Sequence, residues 1–573
     1  MKAADVLPPL GWLPGYGRDT LLPDLRAAAT VGILIVPQAM AYAALAGMPP
    51  ITGLYAAIVA LVVYSVLGTS RFASPGPAAI DALLVAAAVG PLADGDPRRY
   101  VALAGTLAVL SGLLQVVAGA LRLGALVTFV SVPVILGFTT AAALTIAATQ
   151  LPALLGLPVT PDPAGLVRTL DGVLPELGQV DLTTAVFALG CLLGLALLRR
   201  RLPTWLPAPL VVLVLAAAVA ALPWLDGRLR LIGQVPHGLP VPVLPSLDLG
   251  DVTALVPAAV ALALVSFLES FSSATAFARR SRTRIEANQE LIALGAGNVA
   301  AGFFRGFNIA AGPSRGSVMF AAGSRTPMSC LLAAVVVGVA LLTITPLLAL
   351  LPTVALAAII VLTVWSLVDL RGAIEVAKVR RIDLVALLAA FVATAGFGPV
   401  PGLAVGVAVS LIVFLRQTAH PHFPELGRVE GTTRYRNRAR YAEIHTDPAV
   451  LLLRLDAPLY FANSQAVADR IADLAVSRPG LRHVVFDASA MSWLDYSGTE
   501  TLARLDRALR ESGIELHLAA LRGPPRDILR RTRHGRWMAE IGRLHPDVQT
   551  AVEALRLGPD SPLNPPAPQA NGS

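Results

Sequence analysis

Long apolar runs separated by short polar segments dominate the first 416 residues of the chain. Many of these runs approach the length that an α-helix needs to cross the hydrocarbon core of a bilayer, about 20 residues. The pattern predicts a polytopic α-helical membrane domain over 26–416, in which 77–91 and 314–323 are too short to span alone. The fourteen predicted helices are 26–47, 52–69, 77–91, 99–121, 126–153, 183–199, 206–224, 253–279, 289–304, 314–323, 328–349, 352–370, 382–397 and 400–415.

Both short segments begin at the same residue pair, Gly76-Pro77 in the first half and Gly312-Pro313 in the second. Proline lacks a backbone N–H and glycine weakens a helix, so each pair interrupts its membrane helix. Unpaired backbone is costly in lipid, and such breaks persist only where protein or a polar cavity supplies partners. The matched breaks predict a seven-plus-seven inverted repeat. An anion site is expected between the N-termini of the third and tenth helices.

Beyond residue 416 the apolar runs end. Residues 417–439 are polar and arginine-rich, which is typical of a basic linker near an anionic leaflet. Over 440–557 the alternation of strand and helix patterns predicts a small α/β domain. Its expected strands are 450–455, 483–486 and 515–519, and its expected helices are 463–475, 498–512 and 547–555. Residues 1–25 are expected to be a cytoplasmic N-terminal segment, and 558–573 a disordered tail.

The composition agrees with a membrane protein. Charged residues make up 14% of the chain, against about 25% in soluble proteins, and the mean hydropathy is +0.68. The net charge of +8 does not indicate a nucleic-acid partner, because arginines concentrate after the even-numbered helices. This bias places those loops and both termini on the cytoplasmic side of a bacterial inner membrane. The arginines include Arg71, Arg122, Arg199, Arg279, Arg371 and Arg416.

Motifs for catalysis and metal binding are missing from the sequence. Cys191 and Cys330 lie singly in apolar segments and offer neither a disulfide framework nor metal-ligand spacing. No phosphate-binding loop, zinc-protease motif or serine-hydrolase motif occurs in a credible context. We therefore expect no enzyme, no metal and no cofactor. Any coupling ion would be H⁺ or Na⁺.

Polar residues within the predicted membrane helices are the candidates for chemistry. Gln38 and Tyr42 are four residues apart and share a helix face, where they either line an anion site or make ordinary interhelical contacts. Glu269 shares a face with Ser273, and an intramembrane carboxylate is a functional hypothesis by default, as a cation ligand or proton carrier. Asp81 opposes anion binding unless it is protonated or paired, so it either carries a proton or has no role.

The residues after the second break suggest an oxyanion contact. Ser314 offers a hydroxyl and Arg315 a guanidinium, which can bind an oxyanion with two hydrogen bonds. Alternatively, Arg315 neutralises Glu269 and never meets the substrate. In the α/β domain, Asp495 and Ser497 precede a helix and either cap it or form a regulatory, phosphorylatable loop.

Several motifs in the same order resemble the SulP/SLC26 family of anion transporters with a C-terminal STAS domain. The resemblance extends from about Asp24 to Leu557. The motifs include Pro37-Gln38-Ala39-Met40-Ala41-Tyr42-Ala43, Gly68-Thr69-Ser70-Arg71, Gly76-Pro77, Arg122-Leu123-Gly124, Asn288-Gln289-Glu290-Leu291, Gly323-Ser324-Arg325-Thr326-Pro327 and Pro458-Leu459-Tyr460-Phe461-Ala462-Asn463.

The resemblance implies core and gate domains, an elevator movement of the core and a homodimer with a cytoplasmic STAS domain, which a regulator could bind. It implies a coupling site near Glu269 and Ser273. It also implies an anion site formed by Gln38, Tyr42, the backbone of Gly76, Pro77, Ala78 and Ala79, and Ser314 with Arg315.

The expected function is secondary transport of a small oxyanion, sulfate first, by proton-coupled symport. The alternatives are a bicarbonate or dicarboxylate symporter, a passive anion channel or exchanger, and a membrane-tethered regulatory scaffold with the STAS domain as its output.

Overall fold

The computed structural model describes residues 7–125, 130–202, 206–223, 225, 227–233, 238–245, 248–343, 345–441, 443–555, 557 and 561–564. The chain forms two compact units, residues 1–411 and 412–573. The start of predicted helix 126–153, and residues 558–560 and 565–573 of the predicted tail, lie outside the described residues.

Helices make up the first unit, and their bounds follow the predicted apolar runs to within several residues. They are α1 (Pro9–Trp12), α2 (Arg18–Leu45), α3 (Pro50–Leu67), α4 (Ala79–Val89), α5 (Pro97–Ala120), α6 (Val132–Thr149), α7 (Leu151–Leu155), α8 (Leu166–Val173), α9 (Leu182–Arg201), α10 (Ala208–Ala220), α11 (Leu249–Ser281), α12 (Ala287–Phe303), α13 (Pro313–Ala321), α14 (Met328–Thr343), α15 (Thr345–Leu348), α16 (Thr353–Trp365), α17 (Leu370–Val379), α18 (Arg381–Phe397) and α19 (Pro399–Ala419), which continues into the second unit.

The lengths of the helices distinguish those that can cross a bilayer from the two half-helices that follow the Gly-Pro breaks. Within the described ranges, eight helical segments are long and apolar enough to cross a membrane, judged by length and composition. The two helices that follow the breaks have 11 and 9 residues, α4 and α13 respectively. At 1.5 Å per residue they are about 16 Å and about 14 Å long, so neither crosses a hydrocarbon core of about 30 Å.

The first long helix begins before its apolar run. The sequence predicted a lead-in over 1–25, whereas α2 starts at Arg18. The Thr20 hydroxyl donates to the Gly17 carbonyl at 2.8 Å, and the Gly17 N–H donates to the Thr20 hydroxyl oxygen at 2.9 Å. Asp24, which is fully buried, accepts backbone N–H bonds from Arg325 at 2.7 Å and Thr326 at 3.1 Å. Tertiary hydrogen bonds therefore extend this helix into a polar stretch.

Helices α5 and α12 cross in backbone contact at two glycine pairs. A Cβ atom at Gly295 would lie 2.6 Å from the Gly112 carbonyl oxygen, and one at Gly302 would lie 2.4 Å from the Gly105 carbonyl oxygen. Any larger residue would push the backbones apart. This close crossing fixes the helices that carry the buried amides described below.

A mixed sheet with helices on both faces forms the second unit. In the described residues its strands run in the order β2-β1-β4-β5-β6-β7, with β3 paired to β1. Strands β4 to β7 are parallel, and β1 is antiparallel to β2, β3 and β4. The elements are β1 (Glu425–Val429), β2 (Tyr435–Asn437), β3 (Ile444–His445), β4 (Val450–Arg454), α20 (Ser464–Val476), β5 (His483–Asp487), α21 (Tyr496–Glu511), β6 (Glu515–Ala519), α22 (Gly523–Arg531), α23 (Arg533–Glu540), β7 (Leu544–His545) and α24 (Val548–Ala554).

Alternation along the strands divides the core of this unit in two. One sheet face, with Leu451 and Phe486, packs under α20 to α23, and the other, with Val485, packs under α24. The structure differs from the predicted linker over 417–439, because β1 and β2 lie in that segment. Strand β1 pairs with its neighbour β2 and with β4, and the arginine-rich pattern of this segment did not reveal such short strands.

Candidate functional site

The two Gly-Pro breaks meet in space. Gly76 and Ala310 form an isolated antiparallel bridge, with the Gly76 N–H donating to the Ala310 carbonyl at 3.1 Å and the reverse bond at 3.0 Å. Each bridging residue lies three positions before a half-helix, since α4 starts at Ala79 and α13 at Pro313. The bridge pairs main-chain groups that the breaks release from helical bonding. Both half-helices therefore start from one small two-stranded element.

Arg315 is bound to this crossing. Its side chain is 2% exposed, and Nη1 donates to the Pro77 carbonyl at 2.7 Å. Nη2 donates to the carbonyls of Gly76 at 3.0 Å and Ala310 at 2.7 Å. The terminal nitrogens thus contact protein backbone, which differs from the expected two-bond contact with a bound oxyanion. Among the described residues, Arg315 forms no ion pair with Glu269 either, although the two side chains lie near each other.

A buried amide network holds the second break in place. The Ile309 N–H donates to Asn298 Oδ1 at 2.7 Å, and Asn298 Nδ2 donates to Gln115 Oε1 at 2.9 Å. The Ala311 N–H donates to the Ser270 hydroxyl oxygen at 2.7 Å. Sequence reasoning did not single out Gln115 or Asn298. The available signal was an amide residue in each of two apolar helices.

Two carboxylates near the crossing, those of fully buried Asp81 and partly exposed Glu269, have buried oxygens that accept no hydrogen bond from the described part of the chain. Asp81, on α4, is fully buried and neither of its oxygens is bonded, and Glu269 Oε2, on α11, is also unbonded. Glu269, Asn308 and Arg315 lie around Asp81, and the Asn308 amide is placed to interact with its carboxylate, although no hydrogen bond of normal geometry joins the two in the described residues. The structure therefore brings both predicted acids to the same place, beside the crossing of the breaks.

Glu290, on α12, is an acid of this unit whose two carboxylate oxygens both accept hydrogen bonds. It is buried, and Oε2 accepts the Tyr64 hydroxyl at 2.7 Å. Oε1 accepts the N–H groups of Thr69 at 2.8 Å and Ser70 at 3.1 Å. These bonds secure the loop that leads to the first break. Within the described residues, Glu290 therefore accepts hydrogen bonds at both oxygens and Asp81 at neither, so the two acids have different surroundings.

A cavity of about 810 Å³ reaches the second break. Gln38 and Ser314 line one part of it, and Gln38 Oε1 is buried without a partner in the described chain. Arg26 and Arg199 line another part. Arg26 is twelve residues before Gln38 on α2 (38 − 26), which corresponds to about 18 Å along the axis. The cavity lining does not include Gly76, Pro77, Ala78 or Ala79 among the described residues, which are buried at the crossing.

The remaining predicted residues of this unit lie close by. Tyr42 is buried and is among the titratable groups near Arg315. Ser273 packs against α13, where a Cβ atom at Gly316 would come within 3.2 Å of its hydroxyl oxygen. The structure thus gathers the predicted anion and coupling residues around the two half-helix starts.

In the second unit, Asp495 caps α21. Its Oδ1 accepts the Gly498 N–H at 2.7 Å, and Oδ2 accepts the Phe461 N–H at 3.0 Å. Ser497, in the first turn, is partly exposed. The capping interpretation of Asp495 agrees with this geometry.

The chain is similar to known transport proteins over most of its length. Residues 21–390 match the sulfate permease family and residues 441–551 match the STAS domain. A protein of Mycobacterium tuberculosis named as a probable sulfate transporter is 34% identical over 556 residues, covering 95% of this chain and 98% of its own. A chloroplastic sulfate transporter of Arabidopsis thaliana is 33% identical over 524 residues, covering 88% and 75%.

Solved structures show the same architecture. The murine solute carrier 26 member A9 anion transporter, in its inward-facing state, superposes with a TM-score of 0.89 at 25% identity, covering 97% of this chain and 95% of that one. The transmembrane domain of a cyanobacterial bicarbonate transporter gives 0.61 at 24% identity, covering 69% and 98%, and shows the fold alone. The relatives named here are transporters, which confirms the expectation that the chain is not an enzyme. The chain belongs to the sulfate permease family, SulP/SLC26, and carries a C-terminal STAS domain.

Proposed function

We propose that this anion transporter moves sulfate, or a closely similar small oxyanion, across a bacterial inner membrane together with protons. The observation that carries the proposal is the bridge between Gly76 and Ala310, which brings two half-helix N-termini to one point beside a cavity. Helix N-termini present free N–H groups and a partial positive charge, and both favour an anion.

Ser314 is the side chain at these termini with direct access to the cavity. It is exposed, lines the cavity together with Gln38, and lies in the first turn of α13. In this proposal Arg315 acts through its charge behind the two termini and through its bonds to the backbone. Tyr42 and the main chain of residues 76–79 complete the site when the half-helices move apart from their packed arrangement.

The relatives support sulfate as the substrate. The Mycobacterium tuberculosis protein and the chloroplastic Arabidopsis protein are both named as sulfate transporters, and both are at least 33% identical to this chain. A divalent oxyanion also suits a site that combines two helix N-termini with a nearby guanidinium. Bicarbonate and dicarboxylates are the competing substrates.

Glu269 and Asp81 are the proposed proton carriers, and Ser273 is part of the coupling site. An ionised carboxylate is costly to bury without partners, and uptake of a proton removes that cost. The protonated acid would in turn cease to repel an anion held at the neighbouring half-helix starts. Proton and oxyanion binding would then favour each other, as symport requires.

The proposed mechanism uses fourteen segments in a seven-plus-seven inverted repeat, an elevator movement of the core and a homodimer. The equal spacing from each bridging residue to its half-helix supports the repeat. Arg26 and Arg199 line the cavity, and the positive-inside rule assigns both to the cytoplasmic side. This cavity is therefore proposed as the inward-open route, with both termini and the STAS domain in the cytoplasm.

Uptake into proteoliposomes tests the proposal. Radiolabelled sulfate, bicarbonate, chloride and succinate are compared with pH and Na⁺ gradients imposed separately. We expect sulfate uptake that an inward proton gradient accelerates and a sodium gradient does not. Sulfate uptake that follows only the Na⁺ gradient would contradict the proton coupling, and ion current without any coupling ion would favour a channel. A failure to move any of the four anions would overturn the transport function proposed for the site.

A further inference from the structure

Three histidines and a glutamate lie side by side on one sheet face of the STAS domain. His483 begins β5 and is paired in register with Glu515, which begins β6. His517 is two residues further along β6 and therefore points to the same face as Glu515. His545, on β7, lies next to His517, with their ring centroids 5.3 Å apart.

The nitrogen and oxygen atoms of this cluster converge. Glu515 Oε2 is 3.5 Å from His483 Nδ1 and 3.6 Å from His517 Nε2. One ligand atom from each of these three residues lies within 4.8 Å of the others. Both of these nitrogens are buried and have no hydrogen-bond partner in the described chain, and His517 is only 6% exposed. A buried unbonded nitrogen directed at a carboxylate requires an explanation.

We propose that His483, Glu515 and His517 bind a divalent transition-metal ion of the zinc class. Imidazole nitrogen and carboxylate oxygen are ligands that Zn²⁺ takes at about 2.0–2.2 Å. Tetrahedral coordination at such bond lengths separates neighbouring ligand atoms by about 3.3 Å. The separations from Glu515 Oε2 to the two histidine nitrogens, 3.5 Å and 3.6 Å, are slightly longer than this, and the three ligand atoms lie within 4.8 Å of one another, so the side chains would draw together around the ion.

Neighbouring residues orient the proposed ligands. His517 Nδ1 is 3.1 Å from His545 Nε2, so an N–H at His517 Nδ1 can donate to His545 and leave Nε2 free for the metal. Arg543 Nη2 donates to Glu515 Oε1 at 2.6 Å, which leaves Oε2 free. Hydrogen bonds from a second layer of residues to histidine and carboxylate ligands are usual at metal sites.

The two histidines of the proposed site lie in a desolvated environment, with one route open to solvent. Burial, reinforced by His545, His483 and Arg543, lowers the pKa of His517 to about 4. Burial also lowers the pKa of His483, with Glu515 acting in the opposite direction and Arg482 and Arg543 in the same direction. The His483 side chain is 17% exposed, which gives an ion access from solvent.

Zinc titration of the purified full-length protein tests the site. The chain is prepared with a histidine-free affinity tag, stripped with EDTA and titrated with Zn²⁺ against a chromophoric chelator at pH 7.5. We expect one ion per chain. His483→Ala and His517→Gln should each weaken binding at least ~100-fold, and His545→Ala about 10–100-fold with unchanged stoichiometry. His420→Ala, at an exposed histidine outside the cluster, is the matched control and should bind as the wild type does.

Co²⁺ substitution gives an independent readout. We expect visible absorption of tetrahedral Co²⁺ in the wild type and in His420→Ala, and its loss in His483→Ala. His483 is the first residue of β5 and its side chain is partly exposed, so this variant should keep the circular dichroism of the native fold and remain informative if His517→Gln misfolds. Absence of micromolar Zn²⁺ binding by the wild type would overturn the proposal. Equal binding by a folded His483→Ala variant would overturn it as well.

Discussion

Arg315 shows how one buried cation can organise the candidate site. Its guanidinium contacts carbonyls on both sides of the crossing, at Pro77 and Gly76 in the first half and Ala310 in the second. Hydrogen bonds from charged donors are each stronger than neutral ones, by roughly twofold. The planar fork of an arginine reaches several acceptors at once, and a lysine ammonium cannot reproduce this geometry.

Arg315→Lys should therefore impair transport although it keeps the charge. We expect sulfate uptake at least ~10-fold slower than wild type, because the half-helix starts lose part of their common support. Arg371→Ala, at an exposed arginine in α17, is the control and should transport normally. Wild-type uptake by Arg315→Lys would show that charge alone is sufficient at this position.

The carboxylates of Glu269 and Asp81 lead to a second prediction at the scale of single residues. Glu269→Gln keeps the shape of the side chain and removes its ability to release a proton. We expect this variant to lose the stimulation of uptake by an inward proton gradient, and Asp81→Asn to weaken it. Uptake is measured in proteoliposomes at matched protein density, with the exposed Glu375→Gln as the control. Unchanged stimulation in both variants would remove these acids from the coupling mechanism.

At the scale of elements, backbone contact between α5 and α12 holds the amides of Gln115 and Asn298 in register. The Gly112 and Gly295 contact leaves no room for a side chain, since a Cβ atom at Gly295 would lie 2.6 Å from the opposing carbonyl oxygen. Small residues at membrane helix crossings commonly allow such an approach. The packing of these helices therefore depends on two pairs of glycines, which local helix propensity disfavours.

Gly295→Ala should destabilise the membrane unit. Overpacking of this kind typically costs about 1–3 kcal/mol, so we expect a lower thermal midpoint in detergent and slower sulfate uptake. Gly338→Ala is the matched control, because a Cβ atom at Gly338 would have no neighbour within 4 Å. Thermal unfolding followed by size-exclusion chromatography compares the two variants. A midpoint for Gly295→Ala equal to that of Gly338→Ala would contradict the close crossing.

At the scale of the whole molecule, this multi-pass membrane protein combines two units with separate hydrophobic cores. The first unit contains the bridge between Gly76 and Ala310, the cavity, and the acids Asp81 and Glu269. The second contains the capped helix of Asp495 and the histidine cluster. The proposed transport chemistry lies in the first unit alone.

Deletion of residues 440–573 separates transport from regulation. We expect the truncated protein to retain at least part of its sulfate uptake, because the proposed binding and coupling residues all precede residue 316. The measurement is uptake into proteoliposomes by protein that elutes as a single species after purification. Complete loss of uptake by such well-folded protein would instead favour the scaffold alternative.

Local sequence was enough to place most helices and to identify the two breaks. Apolar runs and Gly-Pro pairs act through short-range physics, namely burial of a continuous segment and loss of backbone donors. The same reasoning identified Asp81 and Glu269, because a carboxylate in an apolar run is conspicuous. It missed β1 and β2, two short strands in an arginine-rich segment, of which β1 also pairs with β4. It also missed Gln115 and Asn298, whose partners lie on other helices.

The order of amino acids determined the membrane class, the half-helices and the α/β character of the second unit. Each of these features depends on residues that are close together along the chain. Tertiary structure alone decided that Arg315 contacts the backbone rather than standing free for an oxyanion. It also decided that Asp81 accepts no hydrogen bond of normal geometry from the described residues while Glu290 accepts several, and that histidines from separate strands meet Glu515. The reason is physical: hydrogen bonding and burial depend on which distant segments pack together, and spacing along one chain does not encode that directly.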